Sequence, residues 1–207
     1  MKKIIFLFAA LIAFGSANAQ TTNSSSQTVT LTIPTVSLIK VSGSTVAVNY
    51  VTTGVVAGQN LADVVVNGVF LQYTSIMSGV PSTLTRNIYV TSTQVGAATL
   101  NGVSLSVTAS LAGVSAAALG NLGTMALTDQ YIVKKDNANA LFSSTFAASS
   151  SPRLVTGITT CYTGTAPTDG PQVTYKATMA GLTTSEYASL RANTYVFTVL
   201  YTLADTV

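Results

Sequence analysis

Val173-Thr174-Tyr175-Lys176-Ala177-Thr178-Met179 (VTYKATM, residues 173–179) alternates apolar and polar side chains without a break. In an extended chain successive side chains point to opposite faces. Val173, Tyr175, Ala177 and Met179 therefore share one face, and Thr174, Lys176 and Thr178 the other. This is the pattern of a half-buried strand. It recurs upstream, where Val103, Leu105, Val107, Ala109 and Leu111 alternate with polar or small partners behind the turn dipeptide Asn101-Gly102. Val46, Val48 and Tyr50 form another such run, and Ile88 and Val90 sit in a further one. Between Asp63 and Ser75 the apolar residues are dense and are split by Asn67-Gly68, which predicts a hairpin.

Thr194 to Leu203 is apolar on both faces, with Tyr195, Phe197, Val199, Tyr201 and Leu203 on one and Val196 and Leu200 on the other. Such a segment reads as a central strand or one covered by a partner. Helical signals are confined to Val114–Leu119 and to Thr184–Arg191, the latter with Thr184 or Ser185 as cap. Many strands separated by Gly, Pro, Asn and Ser turns predict an all-β fold. The expected form is an immunoglobulin-like β-sandwich, mostly antiparallel, with at most one or two short helices.

The N-terminal end carries a different signal. Lys2 and Lys3 precede the apolar run Ile4–Phe14, and Ala17-Asn18-Ala19 forms a small-x-small cleavage site. This is a signal peptide over residues 1–19, so an exported protein is expected, placed in the periplasm, at the cell surface or outside the cell. The run is shorter than the roughly 20 residues that span a bilayer, so the mature chain is expected to have no membrane span. Residues 20–27 form a polar leader, and 28–207 read as one domain. The alternative is two small sandwiches dividing near 113–122.

Alternation starts as soon as the leader ends. Val29, Leu31 and Ile33 point one way and Thr28, Thr30 and Thr32 the other. After Pro34 the apolar positions become Val36 and Leu38, a change of parity that a period-2 strand accommodates only with a bend or break. A first strand that bends at Pro34 from one sheet into the other is expected.

Composition excludes more than it assigns. Charged residues make up 7% of the chain and apolar residues 48%. Removing Lys2 and Lys3 takes the formal charge from +3 to +1, which is no footprint for nucleic acid or an anionic membrane. The chain has no histidine, which removes the usual general base at neutral pH and the commonest transition-metal ligand. Cys161 is the only cysteine, so neither a disulfide framework nor a structural zinc site is expected. It reads as a buried strand residue, with pairing between chains as the alternative.

The carboxylates are Asp63, Asp129, Asp136, Asp169, Glu186 and Asp205. Two carboxylates could flank a glycosidic bond, but none of these has the aromatic surroundings of a sugar cleft. Asp129, Asp136 and Asn137 share a segment and Asp169-Gly170 a turn, without the spacing of a calcium loop. No enzyme, cofactor or metal is expected. Thr163 to Pro171, the densest turn region, is expected to be a hairpin connection.

Four stretches carry a resemblance: TVTLTIPTVSLI (28–39), LQYTSIMSGVPSTLTRNIYV (71–90), LVTGITTCYTGTAPTDGPQVTYKAT (154–178) and NTYVFTVLYTLAD (193–205). Together they look like small secreted proteins of Bacteroidetes-type bacteria, similar to immunoglobulin-like and fimbrial-subunit sandwiches. The motifs are strand and turn patterns and imply no reaction. The expected function is a non-enzymatic structural or adhesive cell-surface subunit of fimbrial type, with copies of itself or other surface subunits as partners. Val29, Leu31 and Ile33 would be the strand donated to a neighbour. The alternative is a monomeric envelope or glycan-binding module with Tyr73, Tyr162 and Tyr187 as loop contacts.

Overall fold

The computed structural model describes residues 26–43, 45–79, 84–96, 100–111, 114, 117–133, 148–149 and 151–206. The expected signal peptide, residues 20–25 of the expected leader, Ser115 and Ala116 of the expected helical turn, and most of Asp136–Pro152 lie outside these residues. Pro34–Val207 form one compact unit, and the described residues before Pro34 belong to a separate one.

Two antiparallel sheets make up the larger unit. The first contains β1 (Val36–Ser42), β2 (Val64–Ile76), β4 (Ser104–Ser110), β5 (Leu119–Gly120), β7 (Gln130–Val133), β9 (Cys161–Tyr162) and β10 (Gln172–Thr178). The second runs β11 (Val196–Asp205), β3 (Arg86–Val95), β8 (Arg153–Ile158), β6 (Thr124–Met125). One core lies between them. It draws Leu71, Val107 and Val173 from the first sheet and Ile88, Val90 and Val155 from the second. The protein is an all-β sandwich, as the alternation predicts. Among the described residues no helix is long and apolar enough to cross a membrane.

Strand β10 shows how the pattern sets the fold. Val173, Tyr175 and Ala177 are buried, and they sit opposite Ala109, Val107 and Leu105 of β4. Directly opposed residues share a face, so two alternating sequences lock each other's register. Val103, Ala177 and Met179 form a smaller apolar cluster, packed by Tyr50, Leu61, Leu182 and Leu190.

Asn67-Gly68 makes a bulge, not a hairpin. Strand β2 runs straight through both residues, while β10 pairs Val173 with Val69 and Thr174 with Asn67, so Gly68 is the extra residue. The insertion moves the inward positions from Val64 and Val66 to Val69, Leu71 and Tyr73. Both halves of an otherwise out-of-phase strand thereby face the core.

The parity expected after Pro34 is also corrected. Ile39 and Val41 pack against the core and Leu38 is exposed. The register explains this: Ile39 lies opposite Tyr73 and Val41 opposite Leu71, both buried. Residues 26–35 form no strand, so the expected first strand before Pro34 is absent. Residues 45–50 form no strand either, although Val46 and Val48 pack on the core.

Thr163–Pro171 is not a hairpin connection. Ser75 of β2 pairs with β1 and β9, and Phe70 pairs with β1 and β10. A strand residue has two edges, so β9 and β10 share the edge of β2 opposite β1. The loop is an excursion between two pieces of one interrupted strand. It is pinned by Thr163, whose backbone N–H donates to the Tyr73 carbonyl and whose Oγ1 accepts from the Tyr73 N–H at 3.0 Å. Asp169 Oδ2 accepts from the Ala166 N–H at 2.6 Å and the Asp169 N–H donates to the Ala166 carbonyl at 2.8 Å, closing the turn between them. Gly170 has φ +94, and a Cβ there would collide with the Leu71 carbonyl oxygen, so only glycine fits.

The one described helix, α1 (Thr184–Ala188), starts one residue earlier than expected. Thr183 is its cap, in a capping box with Glu186.

Candidate interaction surface

Three of the largest exposed apolar side chains in the molecule belong to one short segment. Val29 is 82% exposed, Leu31 83% and Ile33 70%. Their alternation with Thr28, Thr30 and Thr32 is that of a strand, yet the backbone there makes no ladder. Burying side chains of this size is worth about 1.5–3 kcal/mol each. A six-residue strand would reach about 20 Å.

The last strand is the second unfinished feature. β11 pairs with β3 through ten consecutive residues, from Val196 opposite Val95 to Asp205 opposite Arg86, with no register shift. Among the described residues it pairs with nothing else, so it is an edge strand, and of the two placements its composition allows, central or covered by a partner, the central one does not hold. The physical reason is visible along it. Phe197, Val199, Tyr201 and Leu203 face the core, but of these only Tyr201 is fully buried. On the outer face Val196 and Leu200 are exposed. A strand apolar on both faces thus has, among the described residues, one edge without a ladder and part of each face exposed.

Arg86 secures one end of this edge. Its buried guanidinium donates from Nε to Asp205 Oδ1 at 2.7 Å and from Nη1 to Ser75 Oγ at 3.1 Å. Nη1 also donates to the Val36 carbonyl. One side chain therefore joins β3 to β1, β2 and β11. It faces Cys161 as well, and its positive charge favours the thiolate. Burial is the larger effect, and the buried Cys161 thiol is pushed up to about 11. This is the inert core thiol expected from the strand pattern.

The expected loop contacts separate. Tyr73 lies on β2, is buried, and donates its hydroxyl to the Leu122 carbonyl at 2.6 Å. It is a core residue, and its assignment as a ligand contact is corrected. The reason is that Gly68 shifts the parity of β2 and turns position 73 inward. Tyr162 on β9 and Tyr187 on α1 are exposed. Tyr187 lines a cleft of about 540 Å³ with Gln59, Asn60 and Leu182, and Tyr162 takes no part in it.

The carboxylates are dispersed. Asp63 pairs with Lys176 at 3.4 Å, Asp169 closes its turn, Glu186 caps α1 and Asp205 meets Arg86. Asp136 and Asn137 lie outside the described residues. Among the described residues no three acidic, His or Cys side chains gather as a metal group. For β11 the sequence leaves open a central strand or one covered by a partner, and the unpaired edge removes the first among the described residues. The apolar outer residues Val196 and Leu200 carried that signal.

The class defined by these features is a two-sheet antiparallel sandwich with an open edge strand. Compared with known proteins, the chain matches no family model, no curated protein and no solved structure.

Proposed function

We propose that the protein is an exported, non-enzymatic structural or adhesive subunit of the cell surface, fimbrial in type, that assembles by strand donation. The observation that carries this reading is the exposure of Val29, Leu31 and Ile33 on a segment with strand alternation and no strand partner among the described residues. Strand addition satisfies backbone groups and apolar side chains together, and alternate side chains supply specificity. Low charge supports it further, since 7% charged residues leave little to repel a second copy.

The test is the mass of the protein isolated from its native envelope, by light scattering, with electron microscopy of the same fraction. Filaments or large particles are expected. A clean monomer overturns the reading. A glycan-binding or other envelope-binding module is the second reading, favoured by exposed Tyr187 on its cleft beside Gln59 and Asn60. A glycan array with no signal above background removes it.

A further inference from the structure

We propose that the acceptor for residues 28–33 is the free edge of β11 in a second copy, antiparallel, with Leu31 opposite Val199. This rests on the assembly reading above and names its docking surface.

The choice of β11 follows from comparing the edges. Proteins protect exposed edges with lysine, proline, bulges or short length. β11 has none of these: ten residues, an unbroken register, no proline, no lysine, and a single charge, Asp205, which Arg86 engages. The competing edge strand β1 is seven residues long, carries exposed Lys40, and has its Val36 carbonyl taken by Arg86. β5, β6 and β7 have two, two and four residues, too few to hold six.

Face and register follow from the side chains. Phe197, Val199 and Leu203 point at the core yet are only partly buried, so an added strand should offer apolar side chains on that same face. Directly opposed residues share a face. Leu31 opposite Val199 places Ile33 opposite Phe197 and Val29 opposite Tyr201. On the outer face Thr32 then meets Thr198, Thr28 meets Thr202, and Thr30 meets Leu200. No charge lies in either paired segment. Pro34 falls opposite Val196, the first residue of β11, where a missing N–H ends the ladder without breaking it. Sliding by two residues one way moves Pro34 into the ladder, and the other way carries Ile33 past the strand end.

The experiment uses full-length protein carrying single cysteines. Thr30 and Leu200 are exposed, and the native Cys161 is buried. T30C and L200C proteins are mixed under mild oxidation, and the mixed disulfide is quantified against L31C with L200C, whose side chains would lie on opposite faces. At least tenfold more disulfide is expected for T30C with L200C. In parallel, L31D is expected to abolish self-association and leave the thermal unfolding unchanged, because Leu31 contributes no buried surface to the fold. Loss of assembly in L31D with no T30C–L200C disulfide overturns the acceptor and leaves the subunit reading intact. Disulfide dimers of L200C alone show that β11 pairs with itself, which also overturns it. Absence of any assembly in the parent protein overturns both readings.

Discussion

The hydroxyls of Tyr175 and Tyr201 lie 2.7 Å apart in the core, one on β10 and the other on β11, and join the two sheets. Both rings are buried, so this hydrogen bond stands where neither group has water to fall back on. Losing one partner leaves the other unsatisfied, whereas losing both removes the demand altogether. Tyr201→Phe is expected to cost about 1–3 kcal/mol in urea unfolding. Tyr175→Phe combined with Tyr201→Phe is expected to cost less than the two single changes together. Strict additivity would show that the pair is not coupled.

Alkaline pH is expected to unfold the protein from several sites at once. Burial raises Tyr201 well above the ordinary phenol range and raises Tyr175 and Tyr73 as well. Burial also pushes Tyr50 up to about 12 and Cys161 to about 11. In each case the folded state holds the neutral form more strongly than the unfolded state does. The stability this contributes is complete below the unfolded pKa, 9.0 for the thiol and 10.0 for the phenols, and is lost as pH rises through the folded values. With no histidine to titrate, the urea midpoint is expected to stay flat between about pH 6 and 8 and to fall above about pH 9. Buried Tyr73, Tyr175 and Tyr201 are expected to ionise only together with unfolding, so part of the tyrosinate absorbance appears with the loss of structure. Complete tyrosinate absorbance in a still folded protein would contradict this.

Arg86 and Asp205 are partners of unequal weight. Asp205 is 69% exposed at its side chain, and Arg86 keeps Val36 and Ser75 when the carboxylate is removed. Asp205→Asn is expected to cost less than about 1 kcal/mol, as exposed ion pairs do. Arg86→Met removes donors to three elements and is expected to cost about 2–4 kcal/mol. Thermal or urea unfolding of the two variants decides the matter, and equal effects would refute the asymmetry.

Tyr50 offers a gain. Its hydroxyl is buried and has no hydrogen-bond partner among the described residues. Burial and the nearby Asp63 charge both hold it un-ionised. Tyr50→Phe removes an unsatisfied polar group and keeps the ring, so a gain of about 1 kcal/mol is expected. A lower unfolding temperature for this variant would show that the hydroxyl is satisfied after all.

The sequence made strands β4 and β10 legible because one of their faces is buried and the other wet, which is the condition under which alternation is readable. The features it hid share one cause, which is that a parity rule follows the chain and not the pairing. Asn67-Gly68 has the chemistry of a tight turn, and only the β10 register reveals it as an insertion. Ile39 and Leu38 are equally apolar neighbours, and the buried residues Tyr73 and Leu71 opposite β1 decide which parity goes inward. Tyr73 was unreadable as a core residue for the same reason. Val29, Leu31 and Ile33 read either as the first strand of the sandwich or as a strand donated to a neighbour, and the structure leaves them exposed and in no strand. The apolar character of both faces of β11 was plain, but composition does not distinguish a centre from an unfinished edge.

The position of Arg86 has a mechanical consequence. Any pull carried by the chain ahead of Pro34 enters the sandwich at Val36, the residue whose carbonyl this guanidinium holds. The same side chain grips Asp205 at the end of the final strand. Tension applied at the first strand is therefore shared at once with the opposite sheet, before a single rung between β1 and β2 need open. A sandwich built this way resists being unravelled from its own leading end, and the load is borne by a buried cation instead of by a disulfide.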